Sequence, residues 1–317
     1  MAQSTFSSTT TAEEVGIILS DEIRGKNGSA SANGIGFETA RILAKHANLV
    51  IIAGRNPDRL KIAEDAIKNE VPAAKIQPLI LDLSSLAAVR KAAAEVREPL
   101  HVLIHNAAAT IEPFKLTADG IETQMATNHV GPFLLTKLLS SQLLATRTRI
   151  YTPRVIFVSA SGHAFCDGIN FKTLEKPDPA SYEAMNTYFQ TKVANILTGI
   201  ELSKRSRGKI NAYSLHPGVI YTNLMQKGEA VAGLQKLGAL DADGKPSNKR
   251  FTFKTIPQGA ATTMTAAFDP KLNDTPGAYL NDCVVANEAI APHGSDPRNA
   301  ETLWNLTEQI IGESFVF

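Results

Sequence analysis

Five short apolar runs, each followed by a stretch with helical periodicity, constrain the fold of this chain more than any other feature. Strands that are apolar on both sides lie inside a parallel sheet, and the helices between them cover its two faces. The sequence therefore predicts an α/β fold with a Rossmann-like doubly wound parallel sheet in three layers, α/β/α. The apolar runs cover residues 48–53, 76–81, 100–104, 155–158 and 210–215.

The length of 317 residues suits one large α/β domain. We expect a single domain over residues 25–317, preceded by residues 1–24 as a tail with a possible helix. The first dozen residues are rich in Ser and Thr and contain no Lys or Arg, which favours a disordered tail. The regular pattern loosens at residues 224–255, and this segment is either a substrate lid or a plain surface insertion.

Composition narrows the classes of partner. The chain carries 32 Lys and Arg against 31 Asp and Glu, a net charge of +1, which gives no basis for binding nucleic acid. No apolar run approaches 18 residues, so no membrane span is expected. Cys166 and Cys283 are isolated, which predicts free thiols, no metal site and a reducing, cytoplasmic location.

A glycine-rich turn precedes the first amphipathic helix. Gly34, Ile35 and Gly36 follow Asn33 directly before a helix predicted over residues 37–45, and Gly28 is a plausible first glycine of the motif. Glycines let a backbone approach a pyrophosphate, and a helix N-terminus supplies unpaired N–H donors and the positive end of the helix dipole. The turn therefore predicts a dinucleotide site.

The turn should follow the first strand of the sheet, yet residues 20–27 do not read as a strand. Five missing apolar residues would forfeit roughly 8–15 kcal/mol, as much as the whole stability of a typical domain. Three explanations stay open. Residues 15–19 supply the strand, the sheet has a gap and a weakened cofactor site, or the sequence carries a gene-model lesion. Residues 10–24 also read acceptably as a helix.

The run 48–53 ends in Gly54, Arg55 and Asn56, where an acidic residue would hold the ribose hydroxyls of NAD. A guanidinium at this place suits a 2′-phosphate, because it forms paired, charge-assisted hydrogen bonds. Arg55 and Asn56 therefore predict NADP(H) as the cofactor.

Tyr188 and Lys192 stand four residues apart on a predicted helix, which puts them on one face. A neighbouring ammonium would lower the pKa of the phenol from its usual value near 10. Tyr188 could then exchange a proton with a carbonyl or an alcohol near neutral pH.

Further motifs end other predicted strands. In a parallel sheet, such strand ends meet around one crevice. They are Asp82 with Leu83, Asn106 with Ala107, the run 158–162 with Ser159 and Ser161, and the run 216–222 with Pro217, Gly218, Ile220 and Thr222, together with Asn128 in a predicted helix at 117–144.

These motifs together resemble the short-chain dehydrogenases/reductases, and within them the branch similar to retinol dehydrogenases and WW-domain oxidoreductases. The resemblance covers residues 25–280 and rests on N-H-x-G-x-F-L-L-T, Y-x-x-T-K and H-P-G-V-x-x-T. It implies a hydride transfer carried out by the cofactor on a small, apolar substrate. Many relatives pair across the helix that corresponds to residues 117–144, so a homodimer is possible.

The resemblance also implies roles for individual residues. Tyr188 would be the general acid and base, Lys192 would bind the nicotinamide ribose, and Asn128 would hold a water in a proton relay. The cofactor would contact Asp82 and Asn106 on its adenosine side, Pro217, Gly218 and Ile220 at the nicotinamide, and Thr222 at the diphosphate.

The chain departs from the family at two places that bear on activity. The strand and Thr-Gly pair before the glycine turn are missing, and Ala160 stands where the family has its catalytic serine. Ser161 could replace that hydroxyl, and Ser159 is the other neighbour. A second hypothesis is therefore a weak or inactive relative that acts as a binding or regulatory protein.

Overall fold

The computed structural model describes residues 6–109, 111–223, 225–226 and 229–317. Its centre is one eight-stranded sheet with the order β3-β2-β1-β4-β5-β6-β7-β8, in which only the last pair is antiparallel. The predicted Rossmann-like α/β fold is confirmed. The strands are β1 (Asn27–Ser31), β2 (Leu49–Gly54), β3 (Ile76–Ile80), β4 (Val102–His105), β5 (Arg154–Val158), β6 (Asn211–His216), β7 (Tyr279–Asn281) and β8 (Val284–Val285).

Helices connect the strands and cover both faces of the sheet. They are α1 (Ala12–Ile18), α2 (Ser20–Ile23), α3 (Gly34–Ala44), α4 (Pro57–Glu70), α5 (Leu86–Glu95), α6 (Thr123–Met125), α7 (Gly131–Leu138), α8 (Ser140–Leu144), α9 (Phe171–Glu175), α10 (Ala184–Ser206), α11 (Ala230–Lys236), α12 (Ile256–Phe268), α13 (Pro292–Ser295) and α14 (Pro297–Ile311). In the described part of the chain, none of them is long and apolar enough to cross a bilayer.

The structure corrects the expectation that the first strand is missing. Residues 27–31, Asn-Gly-Ser-Ala-Ser, form β1 and pair in register with all five residues 49–53 of β2. Its pairing with β4 is limited to Gly28 opposite Val102. A Cβ on Gly28 would lie 3.4 Å from the Leu43 side chain, so α3 packs closely over this strand. The sheet has no gap here, because backbone pairing forms a strand that has no apolar pattern.

Residues 15–19 are not the substitute strand but part of a helical pair, as the alternative interpretation of residues 10–24 predicted. Thr11 and Glu14 form a capping box at the start of α1. Val15 and Ile23 are fully buried, and Phe6 joins the same core. The expected disordered tail is therefore wrong for residues 6–11, which lead into α1.

The helical stretch predicted over residues 117–144 is divided. It begins at α6, passes through a π-helical turn at Ala126–Val130, and continues as α7 and α8. Pro132 lies where the π-helical turn passes into α7, so its missing N–H falls at a change in the hydrogen-bond pattern of the helix. The π-helical turn places Asn128 next to α10, and such turns are frequent at functional sites.

Candidate active site

A cavity of about 490 Å³ lies at the carboxyl ends of the strands and extends beside the sheet. Most of the residues that the motifs singled out line it. They are Gly34, Ile35, Arg55, Leu83, Asn106, Ala107, Ser161, Tyr188, Lys192, Pro217, Gly218, Ile220 and Thr222. Five others, namely Gly28, Gly36, Asn56, Asp82 and Asn128, do not line it.

The glycine turn leaves the N-terminus of α3 open to the cavity. Asn33 is the N-cap residue of α3, and its side chain makes no capping hydrogen bond. Gly34 has a φ of +55°, a conformation that side chains disfavour, and a Cβ built on it would meet no atom within 4 Å. Free amides beside open space fit the phosphates of a dinucleotide.

Gly36 has a different role in the same turn. A Cβ on Gly36 would lie 1.9 Å from Ser31 Oγ and 2.8 Å from Asn106 Nδ2. The Asn106 amide donates to Ser31 Oγ at 3.0 Å, which ties the end of β4 to the end of β1. Gly36 therefore permits this close packing. Gly28 is not the first glycine of the turn, because it lies inside β1.

The end of β2 carries the predicted cofactor selector. Arg55 is exposed at the cavity, and no residue in the described part of the chain hydrogen-bonds to its guanidinium. Asn56 faces away from the cavity and caps α4, where its Oδ1 accepts from the Arg59 amide at 3.0 Å. Asp82, after the end of β3, also forms local hydrogen bonds. Its Oδ1 accepts from the Ser84 amide and hydroxyl at 3.0 and 2.6 Å.

Helix α10 brings Tyr188 and Lys192 to the cavity. Lys192 Nζ lies 5.3 Å from the centre of the Tyr188 ring and donates to the Val158 carbonyl at 3.1 Å. Tyr188 is half-buried, and no described residue hydrogen-bonds to its hydroxyl. The phenol therefore presents an uncommitted O–H beside a buried amine.

The pKa of the tyrosine differs from the sequence-based expectation. Burial raises the pKa of Tyr188 to about 12, and the ammonium does not offset it. Burial also lowers the pKa of Lys192 to about 8. At neutral pH in the cofactor-free protein, Tyr188 is thus a protonated phenol, which can donate a proton.

The serines around Ala160 have separate functions. Ser159 Oγ donates to the Lys192 carbonyl at 2.7 Å and is buried, so it fixes α10 against β5. Strand β5 ends at Val158, and a 3₁₀ turn begins at Ser161. Ser161 lines the cavity, and its amide donates to His216 Nδ1 at 3.2 Å. Because the strand has ended, strict alternation of side chains no longer excludes Ser161 from the site.

His216 acts as a hydrogen-bond partner at the end of β6, and burial lowers its pKa to about 4. It therefore accepts from Ser161 as a neutral imidazole. His163 has a similar supporting role, since its Nε2 accepts from the Ala291 amide at 3.2 Å. These contacts hold the Ser161 turn between β6 and the C-terminal segment.

Asn128 lies behind the cavity wall. Its Oδ1 accepts from the Ala109 amide at 2.7 Å, and its Nδ2 donates to Thr191 Oγ1 at 3.1 Å. The side chain thus joins the segment after β4 to α10 beside Lys192. The implied role in a proton relay stays a prediction.

Sequence motifs did not identify the apolar wall beside Tyr188. This wall is formed by Phe165, by Met185 and Phe189 of α10, and by Leu234 and Leu237 in the segment at α11. The i, i+4 spacing of Met185 and Phe189 was the available signal, but it equally fits a core-facing helix stripe.

Residues 224, 227 and 228 of the expected lid lie outside the described residues.

Sequence motifs also did not identify Lys254, which contacts the loop at residues 217–220. Its side chain crosses Gly218, where a Cβ would lie 2.6 Å from Lys254 Cδ, and its ammonium pairs with Asp282. Its amide donates to the Val219 carbonyl at 2.8 Å. Through these contacts, Lys254 fixes the loop at residues 217–220, which borders the cavity.

Comparisons with known proteins agree with this geometry. The sequence profile of the short chain dehydrogenase family matches residues 29–166. The chain is 36% identical over 295 residues to short-chain dehydrogenase TIC 32 A, chloroplastic, of Brassica napus, an alignment that covers 89% of this chain and 87% of that protein. It is also 36% identical over 292 residues to the human WW domain-containing oxidoreductase, covering 89% of this chain and 66% of that protein.

A solved structure supports the fold over nearly the whole chain. The crystal structure of an uncharacterized protein from Mycobacterium paratuberculosis superposes with a TM-score of 0.69 at 28% sequence identity. The match covers 93% of this chain and 95% of that one. The likeness therefore extends beyond the residues matched by the family profile.

Proposed function

The chain belongs to the short-chain dehydrogenase/reductase family of nicotinamide-dependent oxidoreductases, and we propose that it uses NADP(H) to interconvert a carbonyl and an alcohol. Tyr188 is the general acid and base in this proposal, and the substrate is a small, apolar molecule. The observation that carries the proposal is the placement of Tyr188 and Lys192 on one cavity with the open N-terminus of α3.

The chain's own residues suggest how the cofactor would be held. The amides at Gly34 and Ile35 would bind the diphosphate with Thr222, and Asn106 and Ala107 would border the adenosine. Pro217, Gly218 and Ile220 would border the nicotinamide. When bound, the dinucleotide would supply or accept the hydride.

Arg55 supports NADP(H) over NAD(H). Its guanidinium is exposed at the cavity and has no partner among the described residues, so binding a phosphate would break no existing ion pair. A guanidinium and a phosphate form paired, charge-assisted hydrogen bonds. No carboxylate stands at the end of β2 to hold two ribose hydroxyls instead.

The apolar wall supports the substrate class. Met185, Phe189 and Leu234 face the same cavity as the Tyr188 phenol. A pocket lined in this way binds ligands mainly by excluding water from apolar surface, and a few polar groups orient the reacting atoms. Tyr188 and Ser161 are the hydroxyls that can orient a carbonyl oxygen here.

The raised pKa of Tyr188 favours the reductive direction near neutral pH. A protonated phenol donates to the carbonyl oxygen as that oxygen gains negative charge. Lys192, with its pKa lowered to about 8, remains largely an ammonium at pH 7 and stabilises the phenolate that this donation leaves. Oxidation of an alcohol requires the reverse transfer and therefore gains from higher pH.

The weak or inactive alternative keeps one supporting observation, which is Ala160 at the family's serine position. The other support, a missing first strand, no longer applies, since β1 forms and pairs along its whole length with β2. A purified protein that binds NADPH but turns over no carbonyl would favour this alternative.

Substitution of the proposed acid tests the function. We expect Tyr188→Phe to lower the rate of NADPH oxidation with small aldehydes and ketones by about 10²–10⁴-fold, because proton donation is lost. NADPH binding should persist. The matched control is Tyr151→Phe, which alters another half-buried tyrosine, at the opposite end of the sheet, and should keep the rate. Equal rates in the wild type and Tyr188→Phe would remove Tyr188 from the mechanism.

A further inference from the structure

The cavity does not end at the edge of the sheet. Its lining includes aliphatic side chains that belong to the core between the sheet and helices α5 and α7. We call this inner part the undersheet chamber. Its apolar walls are Ile51, Val96, Leu100, Leu103, Leu135 and Leu139.

Strand β1 explains why space remains there. Ser29 pairs with Ile51, and Ser31 pairs with Ala53, so the two serines share the face of the sheet that meets α5 and α7. Ala30 lies on the opposite face, beside Ile52, in the other core cluster. On the chamber side, the central strand therefore presents the small side chain of Ser29 between the larger Ile51 of β2 and Leu103 of β4.

Residual exposure of the wall residues agrees with a space wide enough for a water-sized sphere. Leu135 is 4% exposed, and Ile51, Leu103 and Leu139 are each 2% exposed, although they are core residues. Leu134, next to Leu135 on the same helix, is 0% exposed and does not line the cavity.

The two serine oxygens of the strand above the chamber already accept hydrogen bonds. Ser29 Oγ accepts from the Ile104 amide at 3.1 Å, and Ser31 Oγ accepts from the Asn106 side chain at 3.0 Å. Most of the remaining walls are hydrocarbon, and the polar lining residue His105, two positions after Leu103 on β4, is paired with Thr136 of α7 at 2.8 Å. Apolar cavities of this kind hold no stable water and bind small hydrocarbons or xenon.

We propose that the undersheet chamber is a binding site for a small, uncharged apolar molecule, for which benzene serves as the probe. It is distinct from the apolar wall around Met185, because it lies below β1 between the sheet and α5 and α7. The chamber and the cleft belong to one cavity. The proposal does not rest on the enzymatic function.

Thermal unfolding of the whole protein with and without saturating benzene tests the site. For the wild type, we expect benzene to raise Tm by roughly 2 °C or more, since a ligand that binds only the folded state stabilises it. Leu135→Phe fills the chamber, so it should retain the Tm of the wild type or exceed it and lose the response to benzene.

The matched control is Leu134→Phe, which adds the same atoms at a closely packed position. It should lower Tm by overpacking and still respond to benzene. Leu139→Phe fills the chamber from the next turn and replaces Leu135→Phe if that variant does not fold. A wild type whose Tm does not respond to benzene overturns the proposal. So does an equal response in wild type and Leu135→Phe, which would place benzene in the cleft above.

Discussion

The two halves of the cavity are built in opposite ways. Around α10, buried polar groups bind one another. Ser159 holds the Lys192 carbonyl, and both Lys192 and Asn195 donate to the Val158 carbonyl. Around β1 and α3, the side chains are small, the helix N-terminus is uncapped and Arg55 is exposed.

This difference follows from what each half does in the proposed reaction. Groups that transfer a proton must be held in place before the substrate arrives, and a closed hydrogen-bond network holds them. A surface that receives phosphates leaves its donors unpaired, because the ligand completes the hydrogen bonds. The closed half should therefore respond to substitution in turnover, and the open half should respond in cofactor affinity.

The largest effect expected in the closed half comes from Lys192→Met. Loss of the ammonium should lower turnover by about 10²–10⁴-fold, because the phenolate of Tyr188 loses its stabilising charge. The Val158 carbonyl keeps Asn195 as a donor at 3.0 Å, so no buried acceptor is left without a partner. Turnover that stays at the wild-type level would show that the network is only structural.

Lys192→Met should also make the protein more stable at pH 7. Burial lowers the pKa of Lys192 from 10.5 to about 8, so the charged form costs about 3 kcal/mol in the folded state. As the pH rises from 8 to 10.5, the unfolded chain binds more protons than the folded one, and the wild type gains this free energy back. Urea unfolding should therefore give Lys192→Met a higher free energy of unfolding than the wild type at pH 7. At pH 10.5 this difference should be absent.

A smaller effect is expected at the boundary of the closed half, where Ser161 faces the cavity. Ser161→Ala should lower kcat/KM by about 10²-fold if its hydroxyl orients the substrate oxygen. Ala160→Ser, which restores the family's serine, should raise kcat/KM. An unchanged kcat/KM in Ser161→Ala would exclude Ser161 from the reaction and strengthen the case for a weak enzyme.

In the open half, Arg55→Ala should change cofactor preference and leave kcat nearly the same. The ratio of kcat/KM for NADPH to that for NADH should fall by about 10-fold to 10²-fold, the value of a charge-assisted hydrogen bond. Arg59→Ala is the matched control, because Arg59 lies on α4 outside the cavity lining. An equal effect of both variants would indicate general electrostatic attraction in place of a specific phosphate contact.

Sequence alone predicted the parts of this fold that have an apolar pattern. The strands β2 to β6 were located to within two residues because each contains apolar side chains that set it apart from the polar segments around it. Strand β1 was missed since Asn-Gly-Ser-Ala-Ser has no such pattern, and its conformation depends on in-register pairing with β2. Backbone pairing between distant segments leaves no trace in local hydrophobicity.

The candidate site shows the same limit. Spacing placed Tyr188 and Lys192 together, yet it could not predict that burial would raise the pKa of the phenol, because desolvation depends on the packed structure. Likewise, the motifs named Asn56 and Asp82 without showing that both cap local turns. Motifs identify which residues meet, and packing decides how each is used.

Titration of NADPH into the purified protein, followed by the fluorescence of the dihydronicotinamide, tests the central claim most directly. We predict a saturable change in emission for the wild type, and its loss in Gly36→Ala, where the added methyl group would displace Ser31 and distort the turn. No change in emission up to millimolar NADPH, or an identical titration with Gly36→Ala, would contradict the assignment of this cavity as a dinucleotide site.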